Sequence, residues 1–84
     1  MVNEVKATLH TCFRGGNENQ EPGYWIGFHY NLEVVEELKR TIPHTGRRWD
    51  ADKSLWWVST DYENILKSLF PNFEALAYLQ GRMF

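Results

Sequence analysis

The segment over residues 46–60, GRRWDADKSLWWVST, constrains the fold more than any other part of the chain. It holds Trp49, Trp56 and Trp57, three of the four tryptophans, beside two adjacent arginines. Because a chain of 84 residues can bury only one small core, the direction of each indole largely fixes the layout of that core. The residues ADKS separate two strand-like runs, RRWD and LWWVS, which predicts a β-hairpin with a short turn.

The parity of positions divides this hairpin between two faces, since side chains alternate along a strand. Trp56 and Val58 share one face. We place that face inside, because Val58 is the last strand residue before a helix that must pack on the core. Trp49 is predicted to join them in the core. Trp57 and Arg48 are then predicted to share the outer face.

Two further alternating runs, NEVKATLHTCF and YWIGFHY, precede this hairpin and flank a loop of glycine, asparagine and proline over residues 14–23. They predict a first hairpin with a long tip. The residues predicted to face inward are Val5, Ala7, Leu9, Phe13, Tyr24, Ile26, Phe28 and Tyr30. The residues predicted to face outward include Lys6, His10, Cys12, Trp25 and His29.

The run NLEVVEELKRTIP, between the two hairpins, predicts a helix. Asn31 is a favoured N-cap, and the following proline predicts an end near Thr41. Val35, Leu38 and Ile42 share one face of this helix and are predicted to face the core.

Two more helices are predicted after the second hairpin. Thr60 and Glu63 match the capping box T-x-x-E, and Asn72 is placed to cap a last helix that stops at Gly81. The element order is therefore β-β-α-β-β-α-α. It predicts a single α+β domain over residues 1–84, in which the helices pack on one face of an antiparallel four-stranded sheet.

Charge narrows the function classes. The net charge of −2 excludes a globally basic nucleic-acid binder. Most of the arginines and lysines nevertheless lie close together, against only two nearby aspartates. This cluster consists of Lys39, Arg40, Arg47, Arg48 and Lys53. It predicts either a local basic patch or an ordinary mixed surface.

The predicted outer face combines Trp25 and Trp57 with the cations Lys6 and Arg48, and three explanations fit it. Exposed indoles beside cations can stack on nucleic-acid bases, at roughly 1–3 kcal/mol per base. The two indoles can instead pack on each other or under the loop over residues 14–23, as a satellite cluster. They can also contact another protein, since large exposed apolar patches mark such interfaces.

Signals for catalysis, metals and membranes are weak. His10, Cys12 and His29 are zinc-ligand types, but they lack a clear fourth ligand and a C-x-x-C spacing, so we predict no metal or cofactor. Cys12 also lacks an orienting group for nucleophilic catalysis, and we predict no enzyme activity. The single cysteine favours a reducing, cytoplasmic setting, and no apolar run approaches the length of a membrane span.

The stretch NLEVVEELKRTIPHTGRRWDADKSLWWVSTDYENILKSLF resembles the HARP (HepA-related protein) domain, a small module beside the motor of annealing helicases. The matching features are the R-R-aromatic-D run that ends at Asp50, the pair Trp56 and Val58, and a closing helix. They cover about half the chain. The resemblance implies engagement of branched or partly single-stranded DNA in support of a motor.

The sequence therefore predicts a non-enzymatic module that binds DNA or acts within a DNA-processing assembly. The residues predicted to carry binding are Arg47, Arg48, Lys53 and Trp57, supported by Trp25, Lys6 and Arg40. The alternative is a protein-interaction module. It would be either a homodimer or a phage or mobile-element protein that binds and modulates a host protein.

Overall fold

The structure is a computed structural model that describes residues 6–81, with side chains described as far as residue 77. The predictions for Val5 and for the start of the first strand at residues 3–5 lie outside the described residues. Four strands form one antiparallel sheet in the order β1-β2-β4-β3, and three α-helices complete the α+β fold predicted above. The elements are β1 (Leu9–Gly16), β2 (Pro22–Phe28), α1 (Leu32–Thr41), β3 (Arg47–Asp50), β4 (Leu55–Ser59), α2 (Glu63–Leu69) and α3 (Phe73–Gly81).

Helix α1 begins and ends where the sequence predicts. The side chain of Asn31 accepts hydrogen bonds from the backbone of Glu33 at 3.0 Å and of Val34 at 3.4 Å. The chain becomes extended at Ile42, immediately before the proline. Val34 is fully buried, whereas Val35, which we predicted to face the core, is only half-buried. Leu38 and Ile42 are buried as predicted, so the one change is that Val34 replaces Val35 in the buried stripe.

The predicted capping box at Thr60 is wrong, whereas Asn72 does directly precede α3, as predicted. Ser59, and not Thr60, accepts a hydrogen bond from the backbone of Asp61 at the start of a short 3-10 turn, and this turn leads into α2. The amide of Asn72 forms two hydrogen bonds with the backbone of Leu9, accepting from its N–H at 3.0 Å and donating to its C=O at 2.9 Å. Asn72 thus ties the start of β1 to the helices.

Strand β1 departs from strict alternation. Its pairing with β2 shifts register between Leu9 and Thr11, which inserts one extra residue into the strand. As a result, Leu9 and Cys12 both face the helices, although a regular strand would place them on opposite faces. Cys12 is fully buried in the core, and Phe13 lies opposite Trp25 on the outer face, so both were predicted on the wrong face.

The core lies between the sheet and the three helices. Its buried residues come from β1, β2, β4 and every helix, while β3 contributes none of them. The core residues of the sheet are Leu9, Cys12, Tyr24, Ile26 and Val58, and those of the helices include Val34, Leu38, Leu66, Leu69 and Phe73. Among residues 6–81, no helix is long and apolar enough to cross a membrane.

Candidate functional site

The outer face of the sheet carries Trp25 and Trp57, which are direct partners across β2 and β4. Their shared face agrees with the predicted parity, but their exposure does not. Trp57 is 1% exposed and Trp25 is 7% exposed. Neither indole can therefore stack on a base in this conformation. The second explanation given above, a cluster packed under the loop over residues 14–23, describes their contacts with Gly15 and Gly16.

Both indoles donate hydrogen bonds to the backbone at the end of β1, in the first hairpin. The Trp57 indole donates a hydrogen bond to the carbonyl of Gly15 at 3.1 Å, and the Trp25 indole donates to the carbonyl of Gly16 at 3.3 Å. Trp57 lies against Gly23, where an added Cβ would sit 2.5 Å from the indole nitrogen. Glycines in a strand often mark such close approaches, so Gly15 and Gly23 were the sequence signal for this covered cluster.

Two cations, Arg48 and Lys53, lie on the outer face beside the indoles. The Arg48 guanidinium forms an ion pair with Glu18 at 3.2 Å, which joins the tip to β3 on the opposite edge of the sheet. The Lys53 ammonium lies 5.1 Å from the centre of the Trp25 ring and 3.8 Å from a carboxylate oxygen of Asp50. Arg48 and Lys53 therefore do border the buried indoles, as predicted, but each has an acidic partner.

The remaining predicted binding residues lie elsewhere. Arg47 is on the helix side of β3, where its Nε donates to the carbonyl of Ile42 at 2.9 Å. Arg40 projects from α1 and is bound by Glu37, whose hydrogen bond and charge raise the pKa of the guanidinium further. Lys6 is exposed and precedes β1, the edge strand farthest from β3. The seven residues thus do not form one basic surface.

The histidines and the cysteine do not converge either. The rings of His10 and His29 are 5.5 Å apart, while Cys12 points to the other side of the sheet. Burial raises the pKa of the Cys12 thiol to about 11, so the thiol stays protonated near neutral pH and is a poor nucleophile. In the described part of the chain, no group of three or more histidine, cysteine or acidic side chains could hold a metal ion.

An open groove lies instead on the helix side, between α1 and β3. Its volume is about 560 Å³. The residues that line it are Tyr30, Leu32, Val35, Glu36, Lys39, Trp49 and Trp56. Tyr30 is 77% exposed, Leu32 is 55% exposed and Trp49 is 50% exposed, which makes them the large apolar side chains most open to solvent among those described.

Trp49 was predicted in the core, and the structure corrects that prediction. It shares the helix face with Trp56, as parity required, and the two rings lie 5.4 Å apart. Trp56 packs against the core, but β3 is an edge strand that contributes no buried core residue. The alternation along β3 determines the face on which Trp49 lies. Whether Trp49 is buried on that face depends on how far α1 extends over it.

The two edge strands of the sheet, β1 and β3, differ in their contacts. Strand β1 is tied to the helices at its start by Asn72 and by a hydrogen bond from the Ala7 N–H to the Leu69 carbonyl at 3.0 Å. Strand β3 pairs with β4 alone among the described strands. An edge strand presents backbone N–H and C=O groups that can pair with another chain. The groove therefore lies beside an edge that is able to accept a further strand.

No family model, no curated protein and no solved structure matches this chain. The resemblance to the HARP domain stays a prediction. The groove and the edge of β3 are therefore the features from which a function can be inferred.

Proposed function

We propose that this protein is a non-enzymatic interaction module that binds another polypeptide along β3. The bound segment is extended, pairs with the backbone of β3 and places an apolar side chain against Trp49 at the groove. Strand addition of this kind obtains affinity from main-chain hydrogen bonds and specificity from side-chain pockets. The observation that carries the proposal is the half-exposed Trp49 on an edge strand that borders an apolar groove.

The composition of the groove favours a polypeptide as its ligand. Tryptophan and tyrosine are enriched among the residues that dominate binding energy at protein interfaces. Trp49 and Tyr30 supply both types in exposed positions, and Leu32 adds an aliphatic surface. The groove wall carries Glu36 and Lys39, one charge of each sign, so it has little net attraction for a polyanion.

The distribution of cations also argues against phosphate as the main ligand. Arg40, Arg48 and Lys53 each have a carboxylate partner, and the whole chain carries a net charge of −2. Affinity for DNA comes largely from unpaired lysines and arginines that neutralise phosphates. The DNA-binding function that the sequence predicted remains the competing hypothesis, and the same experiment tests it.

Selection of short random peptides on immobilised protein tests the proposal. The enriched peptides should share an aromatic or aliphatic residue within an extended segment. Trp49→Lys removes the indole and adds a charge at the edge, so it should weaken their binding by about tenfold or more. Ala75→Lys adds the same charge at an exposed position of α3 and should leave the affinity unchanged.

Two results would overturn this function. One is the failure of any peptide to be enriched on protein that light scattering shows to be monomeric, or affinities that Trp49→Lys does not alter. The other comes from titrating single-stranded and forked DNA into the protein at low and moderate salt. Binding that quenches tryptophan fluorescence and weakens steeply with salt would favour DNA as the ligand.

A further inference from the structure

We infer that the polypeptide bound along β3 is β3 of a second copy of this chain. The inference rests on the proposed function and names its partner. Two copies of β3 would pair antiparallel about a two-fold axis at Trp49 and join their sheets into one. The alternation of side chains and their charges select one register for this pairing.

Parity limits how two copies of β3 can meet. Residues directly opposite each other in an antiparallel pair lie on the same face of the sheet. In β3, Arg47 and Trp49 lie on the helix face with their partners Val58 and Trp56, while Arg48 and Asp50 lie on the outer face. A symmetric pairing within β3 therefore has either Arg48 or Trp49 on the axis.

Charge selects between these two registers. With Arg48 on the axis, two guanidinium groups would lie opposite each other, which is destabilising. With Trp49 on the axis, Arg48 of each copy lies opposite Asp50 of the other copy. The strand then forms two cross-strand ion pairs on its outer face, because the two-fold axis repeats each contact. The short sequence Arg47–Asp50 is thus self-complementary in this register alone.

The side chains needed for these contacts are accessible. The side chain of Arg48 is 47% exposed, and that of Asp50 is 28% exposed. Each has an ionic partner within its own chain, Glu18 for Arg48 and the Lys53 ammonium for Asp50, and the other carboxylate oxygen of Asp50 accepts from the Lys53 backbone N–H at 2.9 Å. Exposed ion pairs of this kind contribute little to stability, so they can rearrange when a second copy docks.

The helix face gains an aromatic contact in the same register. Trp49 of each copy lies directly opposite Trp49 of the other, and their exposed halves cover each other. Aromatic cross-strand pairs are among the more favourable contacts in a sheet. Each indole already rests on Trp56 at 5.4 Å, so the dimer would contain four packed tryptophans at its centre.

Light scattering over a range of protein concentrations tests this inference. The wild-type protein should reach twice the mass of the 10.0 kDa chain. Arg48→Asp and Asp50→Arg each replace both ion pairs with like-charge contacts. Each should raise the dimer dissociation constant on the order of 10- to 100-fold. An equimolar mixture of the two variants restores opposite charges at both positions and should form a heterodimer close to wild-type strength.

The mixture separates the inference from any structural effect, because mixing does not restore the internal ion pair that each variant has lost, Arg48–Glu18 in one and Lys53–Asp50 in the other. Circular dichroism checks the fold of each variant, and Trp49→Lys against Ala75→Lys gives a second comparison if one charge variant unfolds. A wild-type monomer at every concentration would overturn the inference, although peptides selected as above could still bind. A dimer that both charge variants retain, or a mixture that stays monomeric, would overturn the register.

Discussion

The two tryptophan pairs of this sheet have similar chemistry and opposite surroundings. On the outer face, Trp25 and Trp57 are buried beside the glycines of the first hairpin, and both indole nitrogens donate to glycine carbonyls. On the helix face, Trp56 packs against the core while Trp49 remains half-exposed beside the groove. The difference comes from what covers each pair. The outer pair is packed against the glycines of the first hairpin. On the helix face, an open groove lies between α1 and Trp49.

The largest contrast is expected from removing one indole of each pair. Trp57→Ala leaves a cavity under the hairpin and should lower the free energy of unfolding by about 3–5 kcal/mol. Trp49→Ala removes a half-exposed ring and should cost about 1 kcal/mol in the monomer. Urea unfolding at low protein concentration measures both. Equal losses would mean that the two pairs are equally buried.

A smaller contrast is expected between two glycines of the first hairpin. At Gly23 an added Cβ would lie 2.5 Å from the Trp57 indole nitrogen and from the Val58 carbonyl oxygen. Gly23→Ala should therefore destabilise the protein by about 2–3 kcal/mol through overpacking. At Gly16 the nearest atoms are 3.4 Å away, so Gly16→Ala should have little effect. A tolerated Gly23→Ala would show that Trp57 is not held against the hairpin. Thermal unfolding of the two variants provides the comparison.

The pH dependence of the free energy of unfolding reports on Cys12, which is buried between the sheet and the helices. Burial raises the pKa of Cys12 from 9.0 to about 11, so the unfolded chain loses this proton first as pH rises. The free energy of unfolding should fall between pH 9 and pH 11 by on the order of 2 kcal/mol on account of this thiol. At neutral pH the thiol is protonated in both states and contributes almost no slope. Cys12→Ala should remove this part of the slope, and an identical slope in the variant would mean that water reaches the thiol.

Most of the fold could be predicted from local patterns. The alternation of RRWD and LWWVS, the cap at Asn31 and the proline after Ile42 specify their elements because each acts within a few residues. The prediction for β1 was wrong because one extra residue after Leu9 reverses parity for the rest of the strand. No residue in that run marks the bulge.

The exposure of the tryptophans was harder to predict, because it depends on residues that are distant in the chain and pack over them. The exposure of Trp57 depends on a hairpin that begins more than 30 residues earlier in the chain, and its indole donates to Gly15 there. The exposure of Trp49 depends on how far α1 extends over β3. Parity placed both indoles on the correct faces, but it carries no information about the layer above each face.

Trp49, and not Trp57, is open to a partner. Hydrogen exchange of the four indole N–H groups tests this difference. The measurement uses nuclear magnetic resonance at a concentration at which light scattering gives the monomer mass. The Trp57 and Trp25 indoles should exchange slowly, because both are buried and hydrogen-bonded. The Trp49 indole should exchange fastest of the four. A Trp57 indole that exchanges as fast as Trp49 would contradict the account.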